Sequence, residues 1–323
     1  MFARQLNQIR LDVSITPKGP LLIRSGRQGA DPTRAQLEAV RTTVDGQLSV
    51  YIPGSSLKGV MRSHAERLLT SEGLAITPTF DKEAWKVFNQ RTKADEAHRG
   101  TCPLGRTFGS LNLKSRTAVT DFLPGGHSPV GSSDRRRQLE LANNVEIRNG
   151  VAIDRLLGSA SGGALFDREA VVQGRFDGRI VLRNAQLYQL ALVLLVLRDL
   201  DEGFLQLGSS TSRGHGFVSV AWRSLVIESR RGRTPEGKLF GAGALEQAMP
   251  APRRENGEPP KSYEFFGGDT IELPVGLNRQ SKLAWDQIRV PPERIDELAE
   301  TLMREKSPWM HFLQEAEGKS WAA

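Results

Sequence analysis

The stretch Ile52-Pro-Gly-Ser-Ser-Leu-Lys-Gly-Val-Met-Arg62 constrains this chain more than any other. Pro53 and Gly54 end a short strand, Leu48 to Ile52, because proline offers no ladder N–H and glycine favours a turn. Ser55 or Ser56 is placed to cap the next helix by accepting from a free backbone N–H. Leu57, Val60, Met61, Ala65, Leu68 and Leu69 then recur at helical spacing, predicting a helix from about Ser56 to Thr70 with one buried face. Lys58 and Arg62 stand one turn apart at its start, where cations oppose the helix dipole, so local stability does not account for them. Serine hydroxyls, free N–H groups and two cations together suit a phosphate. A capped helix with solvated charges is the alternative that these residues leave open.

The rest of the chain supplies the frame. Gln8 to Thr16 alternates, with Ile9, Leu11, Val13 and Ile15 on one face, and reads as a first strand. Pro17 to Pro20 is a turn, and Leu21 to Ile23 a second extended run. Residues 25–47 are polar and read as a loop or short helix; residues 72–115 are mixed, with helical character around Lys82 to Val87. Thr117 to Phe122 reads as a strand. Gly125 to Gln138, rich in Gly, Ser and Arg, reads as a mobile loop, and residues from about 139 to 173 as a projecting hairpin. Gly174 to Arg183 is a strand, Gln186 to Leu200 an apolar helix, and Phe217 to Val226 a closing strand. Strand, helix, strand, strand, helix, strand is an α+β order, ferredoxin-like or RRM-like, with two helices on one face of a sheet. Arg230 to Pro260 reads as a linker, followed by helices around Pro292 to Lys306 and Trp309 to Glu317. The expected division is a core over 1–228, with inserts at 25–47 and 72–115, and a linker with a C-terminal helical extension over 229–323.

The formal net charge is +7, which fits an anionic partner, and arginine can meet phosphate in a two-pronged way. The single Cys102 excludes an intrachain disulfide and a multi-cysteine zinc site. The first residues carry no apolar run flanked like a signal peptide, so a cytoplasmic location is the expectation. The longest apolar run, Leu190 to Leu197, is too short to span a membrane.

A second glycine-rich element, Leu207-Gly-Ser-Ser-Thr-Ser-Arg-Gly-His-Gly-Phe217, precedes the closing strand. It lacks the Gly-Lys-Ser/Thr of a nucleotide P-loop, and one reading of it is a tight turn of purely structural use. Paired with the first motif, it resembles the RAMP superfamily of CRISPR-associated proteins, in particular the backbone subunit that polymerises along guide RNA. Phe108-Gly109-Ser110, Val119-Thr-Asp-Phe122, Ile153-Asp-Arg155, Gly162-Gly-Ala-Leu-Phe166 with Glu169, and Gly174-Arg-Phe176 match in order, so the resemblance covers roughly residues 5–228.

The resemblance implies sequence-independent binding of the guide's sugar-phosphate chain. It assigns Ser55, Ser56, Lys58 and Arg62 to that chain, with Ser209, Ser210 and Arg213 of the glycine loop lying near the first helix and facing the same RNA. It makes the hairpin a thumb that reaches over the next subunit, with Arg155 in it and Leu165 and Phe166 as wedge residues at a displaced base. Arg135, Arg136 and Arg137 form a basic triplet that touches phosphate or is merely solvated. His215 has no partner histidine or paired acid nearby in sequence, which disfavours acid–base chemistry. The implied partners are guide CRISPR RNA, copies of this chain, other effector subunits, target DNA or RNA paired with the guide, and a DinG-type helicase; no membrane partner is implied.

Type III relatives cut target RNA with an aspartate in the loop before the first motif, in metal-assisted chemistry. Here that loop holds Asp31, Glu38 and Asp45, none in the family's Ile-Asp-Ser-Pro context. Asp31 and Glu38, with magnesium, are the candidates if the chain cleaves; otherwise neither a catalytic residue, a bound metal nor a cofactor is expected. The atypical loop and the long C-terminal region favour a type IV-like, non-catalytic subunit, with a type III-like endoribonuclease as the alternative. A soluble phosphate-binding α+β enzyme with two glycine loops is the reading from a different class.

Overall fold

The computed structural model describes residues 4–24, 35–77, 94–111, 113–153, 160–250 and 263–321, with side chains left out at 94, 152–153 and 160–166. The alternating segment forms β1 (Asn7–Pro17), and its Ile9, Leu11, Val13 and Ile15 are wholly buried. β2 (Arg41–Val44) and β3 (Gln47–Val50) form a hairpin where a loop or short helix was expected. Its two turn residues, Asp45 and Gly46, both take positive φ; an Asp-Gly pair between short strands is the signal that the polar composition masked. The helices α1 (Gly54–Ser71), α2 (Ala94–Gly100) and α3 (Pro103–Phe108) follow, then β4 (Thr117–Val119) and β5 (Leu123–Pro124). The segment Lys82 to Val87 lies outside the described residues.

Next come α4 (Ser133–Asn143), the antiparallel hairpin β6 (Val145–Ile153) and β7 (Ala160–Val171), β8 (Phe176–Arg183), α5 (Leu187–Glu202) and β9 (Val218–Arg230). The C-terminal region adds β10 (Lys238–Phe240), α6 (Ala242–Ala248), β11 (Thr270–Glu272), β12 (Arg279–Lys282), β13 (Trp285–Val290), α7 (Ile295–Met303) and α8 (Pro308–Ala316). The main sheet runs in the order β12-β13-β9-β1-β8-β4, with β5 also on β8, and every pairing is antiparallel. The architecture is α+β.

The two faces of the sheet differ. One carries the apolar residues of β1 and is covered by α1 and α5. α5 packs on β9, α1, α7 and α8, which explains why it is apolar nearly all round. The other carries Gln8, Arg10, Asp12 and Ser14 of β1, in register with Arg183, Val181, Arg179 and Asp177 of β8. Apart from Arg183, the charges of β1 and β8 on it are paired within the chain: Arg10 with Glu228 at 2.9 Å, Arg179 with Asp12 at 2.6 Å, and Asp177 with Arg175 at 3.1 Å.

Two expectations for the flanking segments need correction. Gly125 to Gln138 does not run as a mobile loop, because α4 begins at Ser133 and Ser132 caps it by accepting from the Arg135 N–H. The region after residue 228 is neither a linker nor purely helical. β12 and β13 extend the main sheet, and Leu239, Phe266, Ile288, Leu298 and Phe312 join the same apolar core as β1. Strands of three to six residues carry too little periodicity to be read from sequence; their pairing partner decides them.

Asp269 ties this region to the core. Its buried carboxylate accepts from the Leu187 N–H at the start of α5 and from the Gly243 N–H in α6, both at 2.7 Å. Burial pushes its pKa up to about 6 against those hydrogen bonds. Asp269→Ala leaves two buried donors without an acceptor, at about 1–3 kcal/mol each. The expected result in urea unfolding is a loss of about 2–6 kcal/mol; a midpoint equal to wild type would mean that other groups hold the C-terminal region.

Candidate nucleic-acid interface

α1 starts at Gly54, two residues before the expected position, and its N-cap is Pro53, with no side-chain cap. The Gly54 N–H donates to Asp121 Oδ1 at 2.8 Å, and the Ser56 and Leu57 N–H groups donate to the Pro53 carbonyl at 3.0 and 3.2 Å. Neither Ser55 nor Ser56 caps the helix. Asp121 does so from 67 residues away, a long-range partner that no local pattern reveals. Gly54 is required here, since a Cβ would lie 2.3 Å from the Val119 carbonyl oxygen. The Gly54 and Ser56 N–H groups, expected to be open to a phosphate, are thus already taken, which leaves most of any anion site to side chains.

Those side chains are present. Gly54, Ser55, Lys58, Lys114, Thr117 and Arg183 line an open groove of about 350 Å³ between α1 and β4. Lys58 is half-buried, and among the described residues it has no hydrogen-bond or ion-pair partner. Burial, and then the neighbouring Arg62, depress the pKa of its ammonium. Lys114 and Arg183 are exposed, and Arg183 Nε reaches Gln8 Oε1 at 3.4 Å. Lys114 and Arg183 escaped the sequence reading because only the β4–β8 register, Thr117 opposite Leu182, brings them beside Lys58. Arg62 is engaged differently. Its Nη1 donates to the carbonyl of Gly109, so it holds the Phe108-Gly109-Ser110 segment against α1.

The glycine loop is stitched to the chain just beyond β1. Gly208 and Gly216 both have φ of +89°, and a Cβ on either would meet a backbone oxygen, that of Leu22 at 2.4 Å or Leu207 at 2.3 Å. The Ser209 N–H donates to Leu22 O at 2.8 Å, and the Gly216 N–H to Pro20 O at 2.9 Å. Ser210 Oγ accepts from Arg168 Nη1 at 3.2 Å, Arg213 is exposed, and His215 is buried. Burial, then Arg168, Arg148 and Arg213, depress the His215 pKa. Arg213 was expected to face the first helix. Instead the groove lies beside residues paired with the first half of β1, Arg183 with Gln8 and Ile180 with Leu11, while the loop lies past its last residue. The two cation groups belong to opposite ends of the central strand.

The basic triplet divides. Arg135 is buried in α4, with Nη2 donating to Asp45 Oδ1 at 2.9 Å and Nε to Oδ2 of the same carboxylate, so it clamps the β2–β3 turn rather than waiting in a flexible loop. Arg136 and Arg137 are exposed on the same helix. Arg155 and Asp31 lie outside the described residues. Leu165 and Phe166 fall on β7 opposite Val151 and Gly150, where only the backbone is described. Glu38 does not sit in a free loop: its neighbours Leu37 and Ala39 donate their N–H groups to Asp167 O and Glu169 Oε2, at the base of the β6–β7 hairpin. No cluster of His, Cys, Asp and Glu able to hold a metal occurs among the described residues, and no described helix is long and apolar enough to cross a membrane. β1 and β8 put no aromatic ring on the polar face of the sheet; the register places Trp285 of β13 there, beneath Arg230.

Breaking the Arg135–Asp45 pair, buried at Arg135 and exposed at Asp45, with Arg135→Ala should cost about 1–2 kcal/mol, whereas Arg136→Ala with Arg137→Ala should stay within about 0.5 kcal/mol of wild type. Thermal unfolding distinguishes the two, and equal losses would contradict the division.

A chain from a solved structure titled "Type IV-B CRISPR Complex" is 22% identical to this one, with a TM-score of 0.46, and the match covers 66% of this chain and 90% of that one. No curated protein matches the chain. The family model described as the RAMP superfamily matches residues 14–219, which run from β1 into β9 and contain both glycine motifs. By that match, over more than half of its length, the chain belongs to the RAMP superfamily.

Proposed function

We propose that this chain is a non-catalytic backbone subunit of a type IV-like CRISPR ribonucleoprotein effector. It holds guide RNA by the sugar-phosphate chain, whatever the sequence, and assembles along it with copies of itself and other subunits. The observation that carries this reading is Lys58, a half-buried ammonium without a partner among the described residues, in a groove shared with Lys114 and Arg183. A partly desolvated cation is costly until an anion meets it. Cations on a backbone track position a strand without reading bases, as a subunit serving many guides requires. The chain order β1, α1, β4–β5, β8, α5, β9 and the spatial order β9-β1-β8-β4 support a ferredoxin-like core, and β6–β7 supplies the thumb. The type IV-like assignment rests on the missing Ile-Asp-Ser-Pro context and the long C-terminal region.

Lys58→Gln with Arg183→Gln should weaken binding to oligouridylate and oligoadenylate of equal length by the same factor. It should also flatten the slope of log affinity against log salt by about 0.7 for each single-strand phosphate that the protein no longer neutralises. Weakening confined to one sequence would mean that these residues read bases. The competing reading, a type III-like subunit, has its own test. With guide RNA and magnesium, a complementary RNA should remain whole; regular fragments that disappear in Asp31→Ala or Glu38→Ala would make the chain an endoribonuclease.

A further inference from the structure

Arg148 of β6 and Arg168 of β7 are direct cross-strand partners, so both side chains leave the same face of the hairpin. Like charges in that position destabilise a strand pair. Arg168 is 6% exposed, and its Nη1 reaches Ser210 Oγ of the glycine loop. Arg213 leaves the same loop from the turn Thr211–Arg213. All three guanidinium groups act on the His215 imidazole. His215 is 4% exposed, and its Nδ1 has no hydrogen-bond partner. Arg148 also pairs with Glu146 at 2.9 Å, on the exposed side. Two cations thus come from the hairpin and one from the loop, around a buried ring nitrogen that lacks a partner.

We propose that Arg148, Arg168, Arg213 and His215 form a seat for one phosphate group, which joins the glycine loop to the base of the β6–β7 hairpin and fixes the hairpin when it binds. The identity of the phosphate as part of an RNA strand rests on the function proposed above; the seat itself needs only the anion. A two-stranded hairpin has little core of its own and is readily held or released by what its base touches. A phosphate has oxygens enough to accept from both elements at once, in charge-assisted hydrogen bonds. Strand occupancy and hairpin order then become one event.

Hydrogen exchange of the full chain, read over residues 145–153 and 160–171, tests this with a short oligouridylate and, separately, with inorganic phosphate. Saturating either ligand should slow exchange in the hairpin several-fold. Arg213→Gln, which alters an exposed loop residue, should abolish that response while the Lys58 groove continues to bind oligouridylate. Slowing by inorganic phosphate without any oligonucleotide binding would keep the seat and remove the guide-RNA reading. Oligonucleotide binding that leaves hairpin exchange unchanged, or a response that persists in Arg213→Gln, would overturn the seat.

Discussion

β1 runs between β8 and β9, and its antiparallel ladder with both decides which charged groups of the central strands share a face. Its odd-numbered residues from Ile9 to Ile15 are buried beneath α1 and α5, and its even-numbered ones meet the polar side chains of β8 and β9. Apart from Arg183, the charges of β1 and β8 on the polar face are spent on internal ion pairs, several of them half-buried, which fix the register. The cations of the two proposed anion sites stand at the edge, beside β4, and at the end, beyond Pro17. A one-residue slip of β1 would turn its apolar residues outward and erase both groups.

Close backbone approaches then set the geometry at those two places. Gly54 lets the first turn of α1 sit against the carbonyls of Val119 and Thr120, which brings Lys58 over β4. Gly208 and Gly216 let the late loop lie against Leu22 and Leu207, which brings Ser210 to Arg168. Any side chain at these glycines would have to displace backbone, so the placement of the cations depends on residues with no side chain of their own. The structural use of the glycine loop and its proposed use as part of an anion seat are therefore one arrangement seen from two sides.

Much of this was legible in the sequence. The alternation of β1, the helical spacing from Leu57 to Leu69, the apolar run of α5 and the two glycine motifs define strong local periods, and each appears where its pattern placed it. What was not legible depends on partners distant in the chain. The helix cap comes from Asp121 rather than Ser55 or Ser56; Arg135 faces Asp45, and Arg62 faces the Gly109 carbonyl. Arginine has the same composition whether it clamps a turn or meets a phosphate, and only burial and partners separate the two. Lys114 and Arg183 lie 69 positions apart in sequence and meet solely through the β4–β8 register. Short strands such as β13 and β12 exist because β9 offers an edge to the first and β13 to the second.

The central claim is that a nucleic-acid strand lies along the α1–β4 groove. Lysine acetylation of the purified protein, with and without a saturating oligonucleotide and read by mass spectrometry, tests it at single residues. The account expects Lys58 and Lys114 to lose reactivity when the strand is bound, while Lys238 and Lys306, which do not line the groove, keep theirs. Lys58 and Lys114 that react equally in both states would contradict it.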